Sequence, residues 1–336
     1  MRFSIIVKDS KFIKSMFRDK TEFLDVFVTE EVIVFFTDFT TVFSYCMFKL
    51  VDYDEKEINL NFRIPREGFL SLLCDGVLSF SEFENIIYVR FTNNDIPYTM
   101  QFPIQTCNLQ GLADKLDLLE EASEFPRISL DDLRLLGRLS RNSNLPITVD
   151  NGVAYISVGE LLIFSKTECT DLSVYPNNLN QLLSQPSHCD VYNVRNYIIS
   201  CTDNYGIVVR KALSVLPNDY EFIKSQKRID VIDIDLTPAN SLLSWIKKYD
   251  TAVLDLLSKA LVLKQDSTSY SAPITATSAS SSDNLLFSSL PDISFPEIIF
   301  KQILSVAKSN QIKVSLTKKL VRIRITENTL LVFRRR

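Results

Sequence analysis

Arg134, Arg138 and Arg141 stand at i, i+4 and i+7 in the stretch 129–141, a spacing that places three guanidinium groups on one face of a helix. Leu133, Leu136 and Ser140 fall on a different stripe, so one side of that helix can face an anion while another packs. Lys11, Lys14 and Arg18 repeat the arrangement in 11–18, with Ile13, Met16 and Phe17 opposite. Lys301 and Lys308, seven residues apart, share a face in 295–310, and Lys247 lies beside Lys248 near the end of 238–249. Arg66 is a weaker member, because it falls where a strand gives way to a helix. Rows of cations on helix faces hold phosphates by charge, without reading bases. A charged stripe is also what solvent alone selects. Here the stripes recur in an acidic chain, with 37 Lys and Arg against 41 Asp and Glu and a net charge of −4, and that local concentration points to an anionic partner.

Other chemistry is poorly represented. His188 is the only histidine and sits in a Gln-Pro-Ser-His-Cys turn, so a nucleophile would have one candidate base and no evident partner. Seven glycines form neither a phosphate-cradling loop nor a dinucleotide fingerprint. In 229–236, Asp233 and Asp235 share a strand face and Asp230 takes the other, a pattern that reads as solvated surface rather than a metal site. The six cysteines contain no C-x-x-C pair and read as reduced, mostly packed thiols. No enzyme, metal or cofactor is expected.

The elements that carry the basic stripes are short helices followed by strands. Residues 1–7 alternate as a strand, 11–18 form a helix, and three β-rich segments fill 23–52 with breaks near Glu30-Glu31 and Asp38-Phe39. Residues 58–64, the helix 66–74 and strands at 77–80, 86–92 and 98–104 repeat that order. The stretch 107–125, with an acidic run from Asp114 to Glu124, reads as a surface connector. Helix 129–141 then leads to strands folded back at Asn151-Gly152 and Gly159-Glu160, where glycine supplies the positive φ of tight hairpins. Strand 172–175, helix 177–183 and strands at 190–194, 197–201 and 206–212 follow. Residues 229–236 open a third copy, with Thr237-Pro238 starting helix 238–249. Strands in 253–263, a flexible Ser/Thr-rich loop at 266–283, helix 295–310 and strands at 312–316, 320–325 and 330–333 complete it. The same unit thus recurs about six times. No run reaches the roughly 18 to 20 apolar residues of a membrane helix, so no membrane partner and a cytoplasmic location are expected.

With these residues on the page, the chain resembles the three-domain DNA sliding clamps of bacteria and some phages. The similarity is strongest around Asn151-Gly152, Gly159-Glu160, Thr167 and Leu172, whose spacing matches the middle clamp domain without gaps, and at Leu216-Pro217-Asn218-Asp219-Tyr220, which is similar to the connector into the third domain. The resemblance implies an α+β fold of three DNA-clamp domains, 1–114, 115–222 and 223–336, each of two βαβββ halves, with helices lining a central hole and sheets outside. It further implies a homodimeric ring that encircles double-stranded DNA without sequence preference, touching it through Lys11, Lys14, Arg18, Arg134, Arg138, Arg141, Lys247, Lys301 and Lys308. DNA polymerase and clamp loader would dock by a short peptide motif in a pocket to which Thr167, Leu172, Pro217, Leu330 and Val332 correspond.

Two departures bear on that pocket. Cys169-Thr170-Asp171 replaces the family's Gly-His-Arg, and the chain ends Phe333-Arg334-Arg335-Arg336 where the family has an apolar tail, so a peptide with acidic residues beside its apolar anchors is expected. Two other readings remain open from the residues: a clamp-like decoy or regulator of replication partners that does not encircle DNA, and a β-rich structural or virion protein.

Overall fold

The computed structural model describes residues 2–17, 21–53, 60–93, 96–105, 107, 109, 111–141, 143–158, 161–214, 228–278, 292–306, 311–317 and 320–334. Arg18, Pro217, Lys308, the 159–160 turn, the 216–220 connector and residues 279–283 lie outside these.

The elements in chain order are β1 (Arg2–Val7), α1 (Ser10–Met16), β2 (Phe23–Val28), β3 (Val32–Phe39), β4 (Val42–Tyr53), β5 (Leu60–Pro65), α2 (Arg66–Leu72), β6 (Gly76–Phe83), β7 (Ile86–Asn93), β8 (Ile96–Pro103) and α3 (Leu112–Glu121). They continue with α4 (Arg134–Leu139), β9 (Ile147–Asp150), β10 (Val153–Val158), β11 (Leu161–Lys166), β12 (Asp171–Val174), α5 (Pro176–Leu183), β13 (Asp190–Val194), β14 (Tyr197–Cys201) and β15 (Tyr205–Arg210). The last are β16 (Arg228–Asp235), α6 (Asn240–Trp245), β17 (Thr251–Asp255), β18 (Ala260–Gln265), β19 (Thr268–Pro273), β20 (Thr275–Ser278), β21 (Ile293–Pro296), α7 (Glu297–Val306), β22 (Gln311–Thr317), β23 (Leu320–Arg324) and β24 (Thr329–Arg334). The strand, helix, three-strand unit is visible throughout. Before α4 its leading strand shrinks to one bridge, Arg127 to Tyr192.

The chain divides into two compact units, residues 1–129 with 181–211, and residues 130–180 with 212–336. In the first, one antiparallel sheet runs β13-β14-β15-β4-β1-β6-β7-β8, and β3, β2 and β5 extend it from β4. Its twelve-residue β4 pairs with β15 over Val42–Cys46, with β3 over Val42–Lys49 and with β1 along its last residues. On one side of this sheet α1 and α2 seal a core in which Phe35 stacks on Phe69 at 4.5 Å and Phe3 on Phe80 at 4.9 Å. On the other side Val34, Phe36, Phe43 and Tyr45 pack against Val194, Ile199 and Val208.

In the second unit the sheet order is β12-β9-β10-β11-β24-β23-β22-β16-β20, beside a four-stranded sheet β19-β18-β17-β21. Asn151 and Gly152, at φ of 49° and 75°, close the β9–β10 hairpin as their residue types predict. Helices α4 and α5 approach closely because residue 137 is glycine: a Cβ there would stand 3.0 Å from Asn180 Oδ1, and Asn180 Nδ2 donates to the Gly137 carbonyl at 3.2 Å.

The structure corrects several boundaries. The 107–125 connector contains a helix: Leu112 is buried, Leu116 and Leu119 pack beside it, and Asp114, Asp117, Glu120 and Glu124 face solvent while Glu121 pairs with Arg195 at 2.9 Å. The predicted helix 129–141 is a 3-10 turn at Asp131–Leu133 followed by α4, which stops where Ser140 Oγ turns back to donate to the Leu136 carbonyl at 2.6 Å. Helix 238–249 ends at Trp245, because buried Tyr249 draws the chain inward against Phe300 and Ile246 becomes extended. The Ser/Thr-rich loop is β-structure over β19 and β20. Ile274 and Ala276 are buried there, and backbone pairing to β18 and β16 supplies what side-chain propensity lacks.

Gly206 has no room for a side chain. A Cβ on it would come within 2.7 Å of the Ser200 carbonyl oxygen and 2.9 Å of the Tyr45 ring. Gly206→Ala is expected to destabilise the protein by about 1–3 kcal/mol through forced overpacking between β14, β15 and β4, read as a lower urea midpoint at unchanged slope.

Candidate nucleic-acid interface and partner groove

Helix α1 buries Ile13 and Met16, leaves Lys11 exposed and half-buries Lys14. Its first amide is capped from far along the chain: Ser10 N donates to Asp75 Oδ1 at 2.7 Å. That bond holds the Asp75 carboxyl below the usual range, so the cap persists above the ordinary carboxylate pKa and is lost as pH falls through the lowered one.

In α4 and the residues that flank it, Leu133, Leu136, Leu139 and Ser140 are buried while Arg134, Arg138 and Arg141 are exposed, the separation of stripes that their spacing predicts. Arg134 pairs with Asp131 at 2.9 Å, and Arg141 lies in the turn after the helix. Helix α4 packs beside α7, whose Ile299, Phe300 and Ile303 are buried. Lys301 on α7 is locally engaged. It pairs with Glu297, donates to the Lys247 carbonyl at 2.7 Å and lies 5.4 Å from the Tyr249 ring centroid. Lys247 is exposed but stands beyond the end of α6, not on it.

Arg66 opens α2, with its side chain only 16% exposed. It donates to the Phe17 carbonyl at 3.4 Å and lies 3.5 Å from Glu67, which makes it a joint between α1 and α2. Helix α5 carries no cation at all.

The described residues matched to a partner pocket do not converge. Phe164 opposes Tyr155 and Leu330, and Leu162 opposes Val332, so these side chains share one face of the β10-β11-β24 sheet. Leu172 opposes Val149, which opposes Ala154 on the other face, and it is fully buried there. The cause is strand parity: Leu330 and Val332 are in register with Phe164 and Leu162, whereas Leu172 is in register with the core positions. Val332 is buried as well, and Thr167 Oγ1 accepts from the Cys169 amide at 3.2 Å.

What the shared face does form is a half-open groove of about 270 Å³. Val153, Phe164 and Leu330 make its floor, and Lys166, Arg322 and Arg324 are on its rim with Glu327. Arg322 and Arg324 alternate with buried Val321 and Ile323 in β23, a period-2 signal that the sequence carries.

Features with other chemistry are accounted for locally. Asp235 accepts from Thr237 N at 2.9 Å and from its hydroxyl, Asp233 lies 3.5 Å from Lys313, and no metal-binding cluster occurs among the described residues. His188 Nε2 and the Tyr205 hydroxyl share a hydrogen bond of 2.6 Å. Burial pushes the Cys107 thiol up to about 12 and those of Cys189 and Cys201 to about 11, so they are not thiolates at neutral pH. No described helix is long and apolar enough to cross a membrane.

Two arginines separate surface from scaffold. Arg134→Ala should change stability by less than about 1 kcal/mol, as for an exposed pair. Arg66→Ala should cost about 1–2 kcal/mol through the lost enclosed contact and stem packing. Chemical denaturation of both variants checks the contrast.

No family model matches the chain, and no curated protein matches it. Solved structures do. The DNA polymerase III subunit beta of Borrelia burgdorferi, solved with a natural product, is 12% identical with a TM-score of 0.67, covering 100% of this chain and 98% of that one. A DNA polymerase sliding clamp from Pseudomonas aeruginosa with ligand is 12% identical at TM-score 0.65, covering 100% and 99%. The DNA polymerase III beta subunit of Thermotoga maritima is 9% identical at 0.63, again covering 100% and 99%. The chain therefore has the DNA-clamp α+β fold.

Proposed function

We propose that this chain is a sliding clamp: a non-enzymatic DNA polymerase processivity factor, cytoplasmic and cofactor-free, whose three domains, 1–114, 115–222 and 223–336, close with those of a second copy into a ring around duplex DNA. The observation that carries the reading is that the fold likeness to clamps spans the whole chain and almost the whole of each clamp. Exposed cations on α1 and α4, backed by buried apolar stripes, suit a lining that attracts phosphates without reading bases. The acidic outer face of α3 suits an exterior that repels them.

Self-association has support at the edge of the first unit's sheet. Among the described strands β8 pairs with β7 alone, and Ile96, Tyr98 and Met100 on it are exposed, with Tyr98 stacked on Phe91 at 5.0 Å. An unpaired strand edge beside exposed apolar side chains is a template for another chain. The polar strand β19 is likewise an end strand among the described ones, closing one side of the four-stranded sheet of the second unit.

Sedimentation at micromolar concentration is expected to give a species near twice 38.5 kDa, retained on circular but not on linear duplex. Replacing Arg134, Arg138 and Arg141 by alanine should weaken binding equally across sequences and flatten its salt dependence by roughly 0.9 per lost phosphate contact. A strict monomer that binds replication proteins but is not retained would move the protein to the non-encircling decoy reading; one that does neither would favour a structural role.

Polymerase and clamp loader would dock by a short peptide. The groove under Leu330 supports this reading: its apolar floor accepts an anchor and its Lys166, Arg322 and Arg324 rim favours acidic neighbours. Leu330→Ala should weaken such a peptide by about 1–3 kcal/mol, and Leu330→Asp should abolish polymerase stimulation with ring formation intact. Competition between an acidic-apolar peptide and its charge-neutral version tests the rim; equal affinity at low salt would remove its role.

A further inference from the structure

Trp245 is the only tryptophan of the chain, and it is 84% exposed at the last position of α6. Nothing in α6 is buried, so the indole is not the visible edge of a packed side chain. It is nevertheless firmly placed. Asp235 caps the 3-10 turn that precedes α6, Ala239 in that turn is buried, and Tyr249, four residues past the indole, is anchored against Phe300 at a ring separation of 6.4 Å.

The segment between Trp245 and Tyr249 is extended at Ile246 and carries the exposed Lys247 and Lys248, while the Lys301 ammonium reaches the Lys247 carbonyl at 2.7 Å. Three acidic residues are near: Glu297 pairs with Lys301, and Asp250 Oδ2 accepts from the Asp266 amide. Lys264, whose carbonyl accepts from the Asp250 amide, joins Lys247, Lys248 and Lys301, so four lysines stand against three acids and the cluster is net basic.

A large exposed aromatic face beside cations matches a nucleotide whose base is free to stack and whose phosphate is free to pair. Intact duplex offers phosphates but no base faces, so an aromatic at this place gains little from it. We propose that Trp245, Lys247 and Lys248 clasp single-stranded DNA, the indole stacking on an unpaired base and the two ammonium groups holding the flanking phosphates. This rests on the clamp reading for its setting, an unpaired strand beside encircled duplex, but the contact itself does not require a ring.

The lone indole makes the test direct on the full-length protein. Its emission should be quenched by a short oligothymidylate and not by a blunt duplex of matched phosphate number. Trp245→Ala should lower oligothymidylate affinity, read by anisotropy of a labelled strand, about tenfold with an unchanged salt slope. Lys247→Ala with Lys248→Ala should instead flatten that slope by roughly 0.7 per lost contact. Exposure at 245 predicts that these variants melt like the parent, which circular dichroism checks. Unmoved emission, equal quenching by duplex, or equal affinity of Trp245→Ala would overturn the clasp and leave the indole a protein contact. Quenching without retention on circular duplex would instead sink the ring and keep the clasp.

Discussion

Backbone pairing between strands that lie far apart in sequence holds this architecture together. Val42–Cys46 in β4 pairs with Tyr205–Val209 in β15, and Leu161–Ser165 in β11 pairs with Thr329–Phe333 in β24. A single strand, helix, three-strand unit would leave sheet edges open and one helix too short to cover them. Joining the units edge to edge satisfies those amides and carbonyls and gives each sheet a continuous apolar face on which short helices can pack. The helices contribute few hydrogen bonds of their own. Their orientation, and so the direction in which Lys11 or Arg138 points, is set by the sheet beneath.

Much of this was legible in the sequence. Alternation located most strands to within two or three residues, because one buried and one solvated face leave a period-2 trace in an antiparallel sheet, but β19 and β20, read as a loop, and β21, overlapping an expected helix start, escaped it. The separation of arginine and leucine stripes in α4 was equally plain. Helix ends were less so: α4 stops at a local back-bond from Ser140 to the turn before it, which helical spacing alone does not announce, and α6 stops for a tertiary reason, the burial of Tyr249. The helix at 112–121 was hidden by its acidic residues, although Leu112, Leu116 and Leu119 are spaced for one face.

The partner pocket was the least legible feature. A residue-by-residue match cannot say which side of a sheet a side chain takes, and Leu172 and Leu330 differ by exactly that parity. The groove that does form is defined by cross-strand neighbours, Phe164 beside Leu330 and Arg324 across from it, so its members are remote in sequence. The same reasoning applies to Arg66, whose charge suggests a ligand and whose burial makes it a joint.

The path of the chain between its two compact units has a consequence for how the protein is made. Synthesis leaves the first unit at residue 129, spends 130–180 on the second, and returns to the first with 181–211. Until that return, Val34, Phe36, Phe43 and Tyr45 lack the Val194, Ile199 and Val208 that cover them, and the first half of β4 lacks its neighbour β15. A nascent chain paused before residue 181 therefore displays an apolar face and an open strand edge together, the combination that invites wrong pairing. Translation rate and chaperone capture across 130–180 thus bear on the yield of this protein as directly as any contact in its finished core.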